Sequence, residues 1–313
     1  MQRILVLRGG ALGDFLVTLP ALSALRRRWS KARIELAGNA TAAVLGRHRG
    51  LIDAVHSQHE ARWGTLFSDA PLPVPMAEWL ESFDLVLNYW PDPGGELRRR
   101  FPLRPSQTFL HADAMPAVAP AAAHYCAPLR ELGIEVTDFL HRLSPLADPV
   151  RAAASPGHPI GQVRNPKPAI GNRSVALHPG SGSPRKNWPL ERWVELCAAL
   201  EKGGRSDLMV ITGEADTGAA TGLAGAGRRH AHQLPFETLV DELAASRLFI
   251  GHDSGISHLA AACGVPCILL FGPTDPAMWA PRGANVRVIR HGPDLESISV
   301  AEVHAAATGW MLA

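Results

Sequence analysis

Apolar residues in this chain follow two rhythms: short, nearly unbroken runs, and longer stretches that repeat at helical spacing. Ile4–Leu7, Ile34–Ala37 and the segment 83–89 (FDLVLNY) are runs of the first kind. Such runs suit strands covered on both faces. Phe15–Arg28 carries apolar residues at helical spacing and closes on a basic cluster suited to a helix C-terminus. Thr41–Leu45 reads as a short helix. Beyond Ser174 the alternation resumes, with strands expected at Val175–His178, Leu208–Thr212, Leu248–Ile250, Cys267–Phe271 and Val286–Ile289. Helices are expected at Pro189–Lys202, Thr217–Ala224, Leu239–Ala245, Gly255–Cys263 and Val300–Trp310, the first opening on a proline that suits a first helical turn. Strands alternating with helices predict α/β units built on parallel sheets.

From about Pro145 to Asn172 neither rhythm survives, and Pro, Ala, Gly and Arg dominate. That segment reads as a linker. The expected organisation is a Rossmann-like domain over residues 1–155, a linker over about 156–172, and a second Rossmann-like domain over 173–313. The last helix is free to pack back on the first domain. Two such domains would face each other across a cleft, with the carboxyl ends of both sheets turned toward it.

Composition narrows the picture only modestly. The 313 residues are 46% hydrophobic and 19% charged, which suits globular domains with real cores. A formal net charge of +2 points to no nucleic-acid partner, so any anion site must come from local clusters. Arg dominates the cations, and Lys186 stands out for that reason. The four cysteines show no zinc or disulfide spacing and read as buried apolar residues in a reducing compartment. No segment is long and apolar enough to span a bilayer. In the N-terminal run, Arg8, two glycines and Asp14 interrupt what would otherwise resemble a signal peptide. The expected location is the cytoplasm, with room for a peripheral contact on the inner face of the cytoplasmic membrane.

Candidate chemistry sits in the turns that leave strands. Residues 251–259, GHDSGISHL, lie between a strand and a helix, where free backbone N–H groups face the sheet's carboxyl edge. Ser254 adds a hydroxyl, Gly255 permits close approach, and His258 lies one turn into the helix. Asp253 would repel a phosphate and suits hydroxyl binding or helix capping instead. A plain N-cap at Asp253 or Ser254, with His258 in the core, is the competing reading. Residues 178–189, HPGSGSPRKNWP, form a second such turn, with Ser181, Gly182 and Ser183 as donors and Lys186 as a mobile cation. It lacks the Gly-Lys-Ser/Thr ending of a Walker A loop. A third turn carries Thr274 and Asp275, and an ordinary β-turn explains it equally well.

In the N-terminal half, Gly9–Asp14 (GGALGD) is the first strand-to-helix turn. It is not a dinucleotide fingerprint, because Asp14 stands where the third glycine would be, and this disfavours a nicotinamide dehydrogenase. A carboxylate there is either a general base or a helix-capping acid. Gly10 and Gly13 flank it. Arg62, beside Trp63, and the run Arg98–Arg100 are either solvated charges or cations for an acidic acceptor.

Three blocks, in order, carry a resemblance: ILVLRGGALGDFLVTLPALSALRRRW, HPGSGSPRKNWPLERW and GHDSGISHLAAACGVPCILLFGPTDPAMW. Together they resemble glycosyltransferase family 9, whose best-known members are ADP-heptose:lipopolysaccharide heptosyltransferases. Residues 40–170 match only in general architecture. The resemblance implies a GT-B fold, an acceptor on the N-terminal domain, a nucleotide sugar on the C-terminal domain, and inversion without an obligatory metal or cofactor. It places the catalytic base on Asp14 and the leaving-group cation on Lys186. Ser181, Gly182, Ser183, Asp253, Ser254, Gly255 and His258 fall on donor-binding positions, and Glu214 on a nucleoside-facing one. Gly10, Gly13, Arg62 and Arg98 are the expected acceptor-side residues. The implied partners are a nucleotide sugar, ADP-heptose in first place, and a glycan or lipid-linked acceptor such as lipopolysaccharide core. The alternatives are another nucleotide sugar, a protein or small-molecule acceptor, an epimerase or hydrolase, and a non-catalytic nucleotide-sugar-binding protein.

Overall fold

The computed structural model describes residues 1–146, 174–202, 207–213, 222–223 and 227–312. The chain forms two compact units, Met1–His141 and Arg142–Ala313. The first contains β1 (Arg3–Arg8), α1 (Leu12–Arg28), β2 (Arg33–Gly38), α2 (Ala40–Arg47), β3 (Ala54–Ser57), α3 (Val74–Glu81), β4 (Leu85–Asn88), α4 (Glu96–Arg100), β5 (Thr108–His111) and α5 (Ala121–Cys126). The second contains β6 (Val175–His178), α6 (Leu190–Lys202), β7 (Leu208–Thr212), β8 (Arg229–His232), α7 (Phe236–Ala245), β9 (Leu248–His252), α8 (Gly255–Ala262), β10 (Cys267–Leu270), α9 (Pro276–Trp279), β11 (Val286–Ile289) and α10 (Val300–Leu312).

Both sheets are parallel throughout, in the orders β3-β2-β1-β4-β5 and β11-β10-β9-β6-β7-β8. In the first sheet the order reverses at β1, so the turn after β1 lies at the switch point, where a crevice opens beyond the strand ends. In the second sheet the reversal lies between β6 and β9, so the turns after those two strands flank the crevice.

The strands are buried because helices cover both faces. Helix α6 shows how: Trp193, Leu196, Cys197 and Leu200 form one apolar stripe sealed against Val175, Leu177, Leu208 and Val210 of the sheet. Three strands escape the hydrophobic pattern. Two of them, β3 (AVHS) and β8 (RHAH), are edge strands with polar residues that need no double cover. The third, β5, is an edge strand of only four residues.

The second compact unit begins at Arg142. Arg142 and Leu143 are tied to the end of α8: the Leu143 amide donates to the Ala262 carbonyl at 2.9 Å, and Arg142 Nη1 to the Ala261 carbonyl at 3.1 Å. The last helix packs within its own unit, burying Val303, Ala306 and Ala307 in the same core as α6. The expected linker 156–172, Glu214 and most of the expected helix Thr217–Ala224 lie outside the described residues. Among the described residues no helix is long and apolar enough to cross a membrane.

Candidate functional site

In the second unit the turns after β6 and β9 meet. Lys186, in a short 3-10 turn (Pro184–Lys186), places Nζ 3.2 Å from Asp253 Oδ2. The Ser181 hydroxyl is held inside its own turn, 2.7 Å from the Ser183 carbonyl and 2.6 Å from Asn187 Oδ1. Gly182 is exposed, and a Cβ there would meet nothing within 4 Å. The turn therefore has room for a larger residue at that position.

The capping question at α8 has a definite answer. Ser254, with extended backbone (φ −150°, ψ 162°), is the N-cap, and its Oγ accepts from the Ser257 amide at 3.2 Å. Asp253 is left for Lys186. The Ser257 hydroxyl donates to the His252 carbonyl, so in the Ser254–Ser257 hydroxyl pair (3.1 Å) the proton comes from Ser254. The Ser254 hydroxyl is thus engaged within the turn. The groups left to face an anion are backbone amides. The first bond inside the helix is His258 N to Ser254 O, so the amides of Gly255 and Ile256 precede it. His258 is half-buried one turn further on. In the third turn, Asp275 caps α9, its Oδ1 accepting from the Ala277 amide at 2.9 Å.

In the first unit Asp14 occupies the third position of α1 and is held on three sides. The Ala11 amide donates to Oδ2 at 2.8 Å, and the Arg8 guanidinium donates to Oδ1 at 2.9 Å and to the Asp14 carbonyl at 3.1 Å. Arg8 is 4% exposed and lies over the Tyr125 ring at 4.2 Å. The carboxylate itself stays 37% exposed, with a second lone pair on each oxygen free. Gly10 has φ +102°, and a Cβ there would fall 2.4 Å from Asp14 Oδ2. Only glycine allows this turn. Two side chains from neighbouring strand ends brace it: Asn39 Nδ2 donates to the Gly10 carbonyl (3.0 Å), and the Gly10 amide donates to Gln58 Oε1 (3.0 Å). Gly13 is the second residue of α1.

The basic residues expected on the acceptor side each have partners within the first unit. The Arg62 guanidinium lies against the indoles of Trp63 (4.6 Å) and Trp79 (4.8 Å), which are themselves in contact at 5.9 Å, and donates to His56 Nδ1 at 2.8 Å. The imidazole Nε2 proton therefore points at Glu35 Oε2, 2.8 Å away. Glu35 also accepts from Arg3 and Arg33. Burial alone would raise the Glu35 carboxyl, but the bonds from His56, Arg3 and Arg33 outweigh it and hold it at about 2. Arg98 is exposed; its Nη1 donates to the Phe109 carbonyl at 3.3 Å. It is Gln58, not Arg62 or Arg98, that reaches the Gly10 turn.

Arg8, Asn39, Gln58 and His252 are missed by sequence reasoning. Arg8 had a usable signal, since a charged residue ending a buried strand needs a partner and Asp14 is six residues away. The other three act across elements and carry no local motif. Among the described residues, no group of three or more His, Cys, Asp or Glu side chains is placed to share a metal ion.

The sequence model of glycosyltransferase family 9 (heptosyltransferase) matches residues 147–304, just over half of the chain. Lipopolysaccharide heptosyltransferase 1 of Pseudomonas aeruginosa is 35% identical over 114 residues, which is 36% of this chain and 32% of that protein. In that match the chain thus spans about a third of the relative's length. Among solved structures, a family 9 glycosyltransferase from Veillonella parvula superposes with a TM-score of 0.76 at 20% identity, covering 99% of this chain and 97% of that one. The E. coli heptosyltransferase WaaC, solved with ADP, gives 0.71 at 19% identity, covering 99% and 100%. At these identities the likeness establishes the fold, which is the expected GT-B class with its two parallel α/β units. With the family match across more than half its length, the chain belongs to glycosyltransferase family 9.

Proposed function

We propose that this protein is an inverting, metal-independent glycosyltransferase that moves a sugar, heptose from ADP-heptose in first place, to a bacterial glycan acceptor such as lipopolysaccharide core. The observation that carries the donor half is the meeting of two anion-competent turns through Lys186 and Asp253 at the switch point of the second sheet. A nucleoside diphosphate there takes its charge complement from the Lys186 ammonium and the amides of Gly255 and Ile256. Asp253 and Ser181–Ser183 serve hydroxyl groups and loop geometry. Glu214, which follows β7, is proposed to face the nucleoside. The name of the Pseudomonas relative and the ADP bound to the E. coli enzyme support heptose and ADP.

Asp14 supplies the acceptor chemistry. Its carboxylate takes the proton of an acceptor hydroxyl while that oxygen forms a bond to C1 of the sugar. The bond from C1 to the diphosphate oxygen breaks, and its electron pair leaves with the nucleoside diphosphate. Lys186 and the α8 amides neutralise the charge that develops. Attack opposite the leaving group inverts the anomeric centre. The protein works in the cytoplasm, at or near the inner face of the membrane that carries its acceptor.

The test is a time course of ADP release from ADP-heptose, with and without a truncated lipopolysaccharide core. Acceptor-dependent ADP release matched by acceptor mass gain is expected. Equal ADP release without acceptor would replace transfer with hydrolysis, and no turnover together with no ADP binding would leave no donor role.

A further inference from the structure

One fully buried, titratable side chain plays no part in the chemistry above. His252 is the last residue of β9, 0% exposed, and stands directly before Asp253. Its two ring nitrogens make two different bonds to the turn after β6. The Trp188 amide donates to Nε2 at 2.8 Å, so Nε2 carries a lone pair. Nδ1 therefore holds the proton and faces the Gly180 carbonyl at 3.4 Å. Gly180 and Trp188 bracket the whole stretch Ser181–Asn187, which includes Lys186.

The imidazole cannot drift. It packs edge-on against Trp193 at 5.3 Å, Trp193 packs against Trp188 at 5.5 Å, and the Trp188 indole N–H is fixed to the Ile298 carbonyl at 3.1 Å. The backbone of the same histidine serves the other turn, since its carbonyl accepts the Ser257 hydroxyl in the first turn of α8. One residue is thus bonded to both turns that Lys186 and Asp253 join.

We infer that His252 is a positioning residue that fixes the two ends of the Ser181–Asn187 loop and so presets the diphosphate grip before any nucleotide arrives. A loop of this kind, polar and with only one short 3-10 turn of its own, would otherwise lose conformational freedom on binding, at a cost to affinity. The neutral ring is suited to the task. Burial first, then the neighbouring His178, keeps His252 down to about 3, so the donor–acceptor pattern does not change across the working pH range. The nature of the ligand rests on the donor reading above; the clamp itself does not.

The experiment uses the full chain with His252→Asn, which stays small and polar and can still face Gly180 but cannot reach the Trp188 amide. His252→Ala is the second variant, should the asparagine fail to fold. Cys197→Ala, buried in the same core but part of neither turn, controls for loss of stability alone. Hydrogen exchange at the Trp188 amide and calorimetric binding of ADP are read at matched fractions folded. Exchange at Trp188 at least ten times faster, with ADP binding at least ten times weaker, is expected for the His252 variants. Cys197→Ala should show neither. Wild-type exchange and wild-type affinity in the His252 variants would overturn the inference, as would equal weakening in Cys197→Ala. If wild-type protein does not bind ADP, the donor reading fails, while Trp188 exchange still reports on the clamp.

Discussion

Replacing Asp14 by Asn changes one oxygen to an amide nitrogen at nearly constant shape, yet the proposed base role of Asp14 and its pairing with Arg8 together predict two separable losses. The first is catalytic. An amide cannot take the acceptor's proton, and a positioned general base contributes about 10²–10⁴ in rate. That range is about 2.7–5.5 kcal/mol of barrier. The second is structural. Arg8, 4% exposed, loses its ionised hydrogen-bond partner on the β1 turn. Breaking a fully buried pair costs about 3–5 kcal/mol. Here Asp14 is 37% exposed and Tyr125 still faces the guanidinium, so about 2 kcal/mol is the reasonable magnitude. For a unit of this size that lowers the melting midpoint by roughly 4–8 °C. ADP binding should not change, because every proposed donor contact lies in the second unit. Initial transfer rates, differential scanning calorimetry and ADP titration separate the three effects. A variant that melts early but transfers within threefold of wild type would reduce Asp14 to a capping and pairing residue and remove the proposed base.

Other substitutions and conditions probe neighbouring links. Gly10→Ala must place a Cβ only 2.4 Å from Asp14 Oδ2, at a backbone φ of +102°, so transfer should fall at least tenfold with ADP affinity unchanged. Unaltered transfer in that variant would show that the carboxylate position is not critical. Glu35 is held near 2 against an ordinary 4.5, which contributes on the order of 3 kcal/mol of stability. The sign follows from the lowered value: this contribution is complete above about pH 4.5 and is lost as pH falls toward about 2. The stability gap between wild type and Glu35→Gln, measured by urea melts, should therefore narrow by about 1 kcal/mol from pH 7 to pH 3.5. A constant gap would mean that Glu35 is not ionised against its partners. Transfer should also persist in excess EDTA; its abolition, restored by a divalent cation, would assign part of the leaving-group role to a metal.

The strand-to-helix alternation was legible in the sequence because central strands of a parallel sheet are buried on both faces and read as apolar runs. The candidate turns were legible for a related reason, since glycines and short polar residues cluster where backbone must turn sharply between strand and helix. What could not be read is how the side chains divide the work. Asp253 and Ser254 are adjacent and both can cap a helix; only the extended backbone at Ser254 and the reach of Lys186 assign one to the cap and the other to the ion pair. Arg62 looks like a free cation in sequence, but it packs against both Trp63 and Trp79, which lie sixteen residues apart. Gln58, Asn39 and His252 act through strand ends that become neighbours only when the sheets form.

The central claim is that an acceptor oxygen, freed of its proton by Asp14, displaces the nucleoside diphosphate directly. The most direct measurement is proton NMR of the anomeric centre in the purified product, taken before any secondary conversion and compared with the donor. A single anomer of configuration opposite to the donor, formed by wild type and essentially not by Asp14→Asn, is the expected result. Retention of the donor's configuration, or the same product formed at the same rate by the variant, would contradict it.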